Sequence, residues 1–324
     1  MVQVLVVALV VHAFVIPQLV GARDSVDVLK GISPVLVVVS FLLAAGAWVA
    51  YAFMTRVLLP ETSRPSLRFC FGAVMASMGI NHALPGGAAT TAAVNYRLFA
   101  RAGVPKNDVG PALALQATGS AVLLNLILWC ALIVSIPTSG FHGVYASAAA
   151  VGAVVILLLG GATVALLRAR HRLVRLAHRL ARVLPRLNGV ELESALEGAA
   201  AQLRSLIHDR RRMARGVGFA MANWLLDAAA LWVMLAACGY WAGPVAVLVA
   251  FGLANVVGAV PLTPGGLGVA EAILIPSLVG FGAPPATAAV GVIAYRLLVF
   301  WLPIPIGVAT YVAMERVLEP EWPV

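Results

Sequence analysis

Apolar residues run through this chain in long blocks. They do not form one-sided helical stripes or alternating strand patterns. Segments 2–20, 32–54, 111–136, 143–167, 216–238 and 286–313 are each close to a full block, and about 20 such residues make a helix that crosses a bilayer. Two further apolar stretches, 69–95 and 244–281, are interrupted by Pro-Gly-Gly at 85–87 and 264–266. Proline removes a backbone donor and glycine weakens a helix, so both stretches read as broken helices. The expectation is an all-α polytopic integral membrane protein with about six full spans and two broken segments.

Composition agrees. Of 324 residues, 62% are hydrophobic and 11% are charged, against about 25% charged in soluble domains. The start of the chain lacks the pattern of a cleaved signal peptide, so 2–20 reads as a first helix. The whole of 1–324 is expected to be one membrane domain: a first half at 30–167, a connector at 168–215 and a second half at 216–314. Lys30 and Lys106 are the only lysines. With the abundance of Ala, Val and Gly, this hints at a GC-rich bacterial genome. Cys70, Cys130 and Cys238 lie in separate apolar runs and read as small packing residues.

Loop charge sets the expected orientation. The connector 168–215 holds twelve arginines against four acids, nearly all of the chain's net +9. The positive-inside bias puts it in the cytoplasm, with the N-terminus. Loops 137–142 and 239–243 have no charge and read as outside. The flanks of the first broken segment, 55–68 and 96–110, are both basic, and a full span would place them on opposite sides. A re-entrant hairpin from the cytoplasmic face satisfies both. Its first arm, Phe69 to Asn81, rises only ~20 Å. Its tip is NHALPGGAA, 81–89. The second broken segment has two readings. It is a hairpin dipping from outside, or 244–262 spans fully and the remainder re-enters from the cytoplasm. The first keeps the turn 281–285 outside and makes the halves an inverted pair, a common transporter plan.

A weak internal repeat supports the pairing. Asn81 precedes Pro85-Gly86-Gly87 and Tyr96-Arg97-Leu98; Asn255 precedes Pro264-Gly265-Gly266 and Tyr295-Arg296-Leu297. The spacings differ between the halves. Broken backbone in hydrocarbon costs several kcal/mol per unpaired group and survives only in a protein interior or beside a watery cavity. A helix starting after Pro-Gly-Gly would offer amide N–H groups to a phosphate or carboxylate. Close packing of small residues is the competing explanation.

Ionisable residues fall in the same regions. Asp227 sits in the middle of 216–238, Arg296 deep in 286–313, and Glu271 just after the second Pro-Gly-Gly. A central Asp or Arg costs ~2.5–3.5 kcal/mol to insert, so such groups seek a partner or water. An ion pair of Arg296 with Glu271 or Asp227 is expected, either as a structural tie or with Arg296 as an anion ligand. Asn81 and His82 lie at the first tip. Arg97 and Arg101 stand at the cytoplasmic mouth, where they follow the positive-inside bias or gather anionic head groups. Asn95, Tyr96, Gln116 and Asn125 are further polar groups able to line a cavity. RARHRLVRLAHRLARVL, 168–184, reads as a basic amphipathic helix on an anionic lipid surface. No phosphate-binding loop, nucleophile elbow or metal-ligand spacing is present. No cofactor, metal or nucleic-acid partner is expected.

PLTPGGLGVAEA (261–272) and GFGAPPATAAVGVIAYRLLVFWLPIPIG (280–307) resemble the signature of the lysylphosphatidylglycerol synthase transmembrane-region family. This is the membrane half of the multiple peptide resistance factor. PGGAATTAAVNYRLFARAGVP (85–105) resembles the family's glycine-rich segment, and the likeness spans about 30–315. The resemblance implies a lipid-handling membrane domain; in the resistance factor this half flips an aminoacylated phospholipid, and the substrate does not carry over to this chain. It assigns weight to Pro264, Gly265, Gly266, Gly268, Glu271, Tyr295 and Arg296. Asp227, Asn81, His82, Pro85, Gly86, Gly87 and Arg97 join the expected head-group site on the reading of the residues. No soluble transferase domain accompanies it here, so aminoacyl transfer is not expected.

The sequence therefore reads as a flippase of the bacterial cytoplasmic membrane. Its cargo would be an anionic, aminoacylated or polyprenyl-phosphate-linked lipid. Membrane lipids are the expected partners, with cell-envelope synthesis enzymes and a second copy of the chain as further candidates. Two rivals stand beside it: a membrane-embedded transferase or hydrolase of lipid-linked sugar or phosphate, and a non-catalytic partner of an envelope enzyme.

Overall fold

The structure is a computed structural model that describes residues 28–84, 87–139, 154, 157, 161, 205, 208–258 and 264–318. Its regular elements among these residues are all helical: α1 (Pro34–Leu58), α2 (Leu67–Ala83), α3 (Gly87–Arg101), α4 (Lys106–Ser139), α5 (Arg210–Ala237), α6 (Pro244–Gly258), α7 (Val269–Gly280), α8 (Pro285–Arg296) and α9 (Pro303–Leu318). By length and composition, α1, α4, α5 and the continuous run α8–α9 can each cross a membrane. The all-α polytopic architecture is thus the one the sequence pattern implies. The spans expected at 2–20 and 143–167 and the basic helix at 168–184 lie outside the described residues, apart from single positions. The span expected from 216 starts earlier, at Arg210, because Asp209 caps it: its side chain accepts from Arg212 N.

α1 and α5 form an antiparallel pair along their full length. Ser33 N donates to Ala237 O. Ser40 Oγ donates to Ala230 O at 2.8 Å and Asn223 Nδ2 to Ala47 O at 3.2 Å. At the other end Arg212 donates from Nε to Val57 O (2.8 Å) and from Nη2 to Leu58 O (2.6 Å). The carbonyls at the end of a helix have no partner within it, and Arg212 supplies donors and positive charge where α1 ends. Buried Ala44, Ala47, Ala52, Ala220 and Ala230 keep the two helices close. Between apolar helices in lipid, such packing and a few hydrogen bonds provide the attraction.

These contacts define two ends of the molecule. The basic end collects the end of α1, the starts of α2 and α5, and the α3–α4 turn, where Ser63 Oγ donates to Asp108 Oδ2 at 2.9 Å. The far end collects the start of α1, the turn 238–243 and the turn 281–284; the last two approach each other at Tyr240 and Gly282. α2 and α3 pack together as a hairpin open at the basic end, and α6 and α7 as a hairpin open at the far end. The described residues of the four arms number 17, 15, 15 and 12 and rise ~25, ~22, ~22 and ~18 Å.

α9 holds the first hairpin. It runs antiparallel to α2, with Gly72 beside Thr310 and Met314, and Gly79 against Pro303 and Gly307. At Gly307 a Cβ would strike Met75 O and the Gly79 backbone. Backbone cannot move aside as a rotamer can, so this crossing requires glycine. Gly307→Ala should cost ~1–3 kcal/mol through overpacking and lower the detergent melting temperature. Gly110→Ala, at a helical position with open space beside it, should leave that temperature unchanged or raise it slightly, since alanine is the better helix former.

Candidate site where the two hairpins meet

The tips of the two hairpins meet beside the junction of α8 and α9. Over Leu297–Trp301 the helix widens to a π turn, closed by Leu302 N donating to Leu297 O at 3.0 Å. The local sequence accounts for it: Pro303 and Pro305 have no N–H to give. In the i→i+5 register, residue 305 would serve Phe300 O, and it is a proline. His82 at the end of α2 takes over, with Nδ1 3.0 Å from Phe300 O. A carbonyl only accepts, so Nδ1 carries the proton. The imidazole also stacks on the Phe300 ring, centroids 4.4 Å apart.

The second tip touches the same two side chains. Gly265 has φ +55°, a left-handed conformation that favours glycine. A Cβ there would crowd the Phe300 ring and meet His82 Cδ2 at 2.9 Å. Gly265 therefore satisfies a backbone demand and a space demand together. Gly268 (φ +82°) precedes α7. Its N–H donates to Glu271 Oε2 at 2.7 Å, so an acid in the first turn binds the positive end of its own helix.

The other oxygen of Glu271 accepts from Arg296 Nε at 2.7 Å; the two side chains are 12% and 13% exposed. This is one of the two partners the sequence offered. Asp227, the other, accepts from Tyr295 OH at 2.6 Å. Consecutive residues on a helix point ~100° apart, so Tyr295 reaches α5 while Arg296 reaches α7. The guanidinium also lies 4.5 Å from the centre of the Phe300 ring. Its Nη2 is buried and has no hydrogen-bond partner. Asn81 Oδ1, one residue before His82, is likewise buried and unpartnered.

The structure brings together Asn81, His82, Gly265, Gly266, Gly268, Glu271, Asp227, Tyr295 and Arg296. Gly266 packs toward Gly258, and Pro264 opens the short turn Pro264–Gly266. Gly87 begins α3; Pro85 and Gly86 lie outside the described residues. Arg97 does not join the group. It binds Glu315, with Nε to Oε1 at 3.1 Å, 19 residues beyond Arg296 and ~28 Å along the helix. Gln116 and Asn125 also serve elsewhere: Gln116 Nε2 donates to Thr55 Oγ1 at 2.7 Å and Asn125 Nδ2 to Ala121 O at 2.9 Å. Asn95 is buried with Oδ1 unpartnered, and Tyr96 is exposed. Phe300 was absent from the sequence-based set; prolines two apart inside an apolar helical run are the signal for its free carbonyl. Among the described residues, no group of three or more His, Cys, Asp or Glu is placed to hold a metal ion.

Glu271 neutralises Arg296, so the unpartnered Nη2 is a spare donor on a cation whose charge is already balanced. A UPF0104 membrane protein of Methanothermobacter thermautotrophicus is 27% identical over 118 residues, 36% of this chain and 35% of that protein. The match thus spans about a third of the relative's length. The model of the lysylphosphatidylglycerol synthase TM region matches residues 1–307. With the membrane-class fold and nearly the whole chain matched, the protein belongs to the lysylphosphatidylglycerol synthase transmembrane-region family.

Proposed function

We propose that the protein moves a phosphate-bearing lipid head group across the bilayer, with the acyl or prenyl tails left in the hydrocarbon. The observation that carries this reading is the meeting of two oppositely facing hairpins at Arg296, whose Nη2 is buried without a partner. Membership of a family described by a lipid synthase's transmembrane region supports a lipid as the cargo. The basic end is the cytoplasmic one by the positive-inside bias. The α2–α3 hairpin then re-enters from the cytoplasm and the α6–α7 hairpin from outside, as inverted halves. A head group reaching their junction from either side meets the same cation.

In this mechanism Arg296 donates to phosphate oxygens through its terminal nitrogens. Glu271 holds the guanidinium by Nε, leaving the remaining N–H groups for the cargo. Tyr295, anchored on Asp227, fixes the rotation of α8 that aims Arg296. The two carboxylates beside the cation would suit a head group carrying an ammonium next to its phosphate, as an aminoacylated phospholipid does. The chain has no phosphate-binding-loop pattern, so transport would run downhill or be coupled to an ion. Movement between inward and outward forms would require the His82–Phe300 and Gly265 contacts to loosen, since these join the two tips.

Leaflet exchange of labelled anionic and aminoacylated lipids in proteoliposomes tests the reading. Wild-type protein should accelerate exchange. Arg296→Ala should slow it by about tenfold or more, the equivalent of one charged hydrogen bond at ~1.5–3 kcal/mol. Folded wild-type protein that moves none of these lipids would sink the proposal.

A melting series separates the two roles of Glu271. Glu271→Gln keeps an oxygen for Gly268 N–H but removes the charge that neutralises Arg296, so it should lose the ~3–5 kcal/mol of a broken buried pair and retain the cap. Glu271→Ala loses the cap, worth ~0.5–2 kcal/mol, and leaves Arg296 unpaired, a loss of ~3–5 kcal/mol when a buried pair is broken. Both variants melting at the wild-type temperature would show that neither tie matters to stability.

A further inference from the structure

At the basic end, a second anion is already being held, and it belongs to the protein. Glu315, near the end of α9, is only 18% exposed and meets four donor atoms, two through hydrogen bonds from Arg97 Nη2 and Tyr311 and two through ion-pair contacts from Arg97 Nε and Arg101. Arg97 grips it side-on, Nε to Oε1 at 3.1 Å and Nη2 to Oε2 at 3.2 Å. Arg101, one turn further along α3, reaches Oε2 from Nη1 at 2.8 Å. Tyr311, one turn back on α9, donates its hydroxyl to Oε1 at 3.0 Å. The two arginines are 53% and 37% exposed on their side chains, so their outer faces are open to the surroundings.

Two guanidinium groups and a phenol converging on one planar anion is the donor set that binds phosphate oxygens; the side-on fork fits carboxylate and phosphate alike. The cluster retains one excess positive charge. A surface ion pair of this kind contributes little to stability, so its occupant can be exchanged at small cost. We propose that Arg97 and Arg101 form a phosphate-binding site at the mouth of the first hairpin, in which Glu315 is a built-in competitor that a phosphate monoester or diester displaces. The site lies ~28 Å from Arg296 along α8–α9. It stands on its own contacts, whether or not the protein translocates lipid. Because both arginines ride on α3, an occupant of the site releases that arm from α9.

The test uses the purified full chain in a neutral detergent, titrated with dioctanoyl phosphatidylglycerol. Dioctanoyl phosphatidylcholine serves as the zwitterionic control and inorganic phosphate as a separate arm. All variants carry Arg296→Ala as well, which removes the other anion-binding cation and makes the result independent of the proposed transport. Replacing Glu315 with Gln should tighten phosphatidylglycerol binding by a few-fold, because the ion pair that the phosphate must displace is itself weak. Replacing Arg97 and Arg101 with Ala should weaken it by at least that much. Phosphatidylglycerol binding without phosphate binding assigns the site to lipid head groups; matching gains for both probes in Glu315→Gln assign it to phosphate in general. The Arg97→Ala/Arg101→Ala pair binding phosphatidylglycerol as tightly as its parent would overturn the proposal, however Glu315→Gln behaves. So would a Glu315→Gln protein that melts like its parent and binds neither probe more tightly.

Discussion

A guanidinium withdrawn from bulk water must be neutralised, and at Arg296 the neutraliser is Glu271, which is itself tied to the backbone. One carboxylate bonds Arg296 Nε with one oxygen and Gly268 N with the other. The first bond joins α8 to α7. The second fixes where α7 begins and so the end of the turn that carries Gly265. Without the acid, the cation would be buried alone and the helix start would lose its acceptor. Both failures fall on the same few residues, so the pair decides whether the second hairpin can approach the α8–α9 junction.

The junction gathers its neighbours through a short run of chain. Tyr295 reaches Asp227 on α5, Arg296 reaches Glu271 on α7, and Phe300 offers its carbonyl and ring to His82 on α2. A regular helix would have used that carbonyl internally. The π turn and Pro305 leave it free, so a defect in one helix becomes a joint between the two hairpins. Local disorder of the hydrogen-bond ladder is tolerated because a side chain from another element completes it.

The same principle operates at the basic end with a different balance. Arg212 completes the end of α1 from a half-buried position and belongs to the framework. Arg97 and Arg101 bind Glu315 where the surroundings can compete. Similar charges thus play distinct parts according to how much solvent and lipid can reach them. Positive-inside bias alone would treat all three arginines as orientation signals.

Much was legible in the sequence because apolar blocks, proline, glycine and lone charges are local signals. The long helices α1, α4 and α5, the helix breaks, the shortness of the first hairpin's leading arm and the need of Arg296 for an acid could all be read from them. Which acid it takes could not: Asp227 and Glu271 are equally near in character, and only the rotation of α8 assigns Tyr295 to one and Arg296 to the other. Nor could the sequence place Arg97 beside Glu315 instead of near Arg296, because that depends on α3 running alongside α9. Whether the second broken segment turns back was likewise open in the sequence; in the structure α6 packs on α7. Composition determined that this chain enters a membrane and where its helices break, since those costs are set residue by residue. Tertiary structure decided which broken ends meet and which charges pair, since these depend on distances between residues up to 218 positions apart.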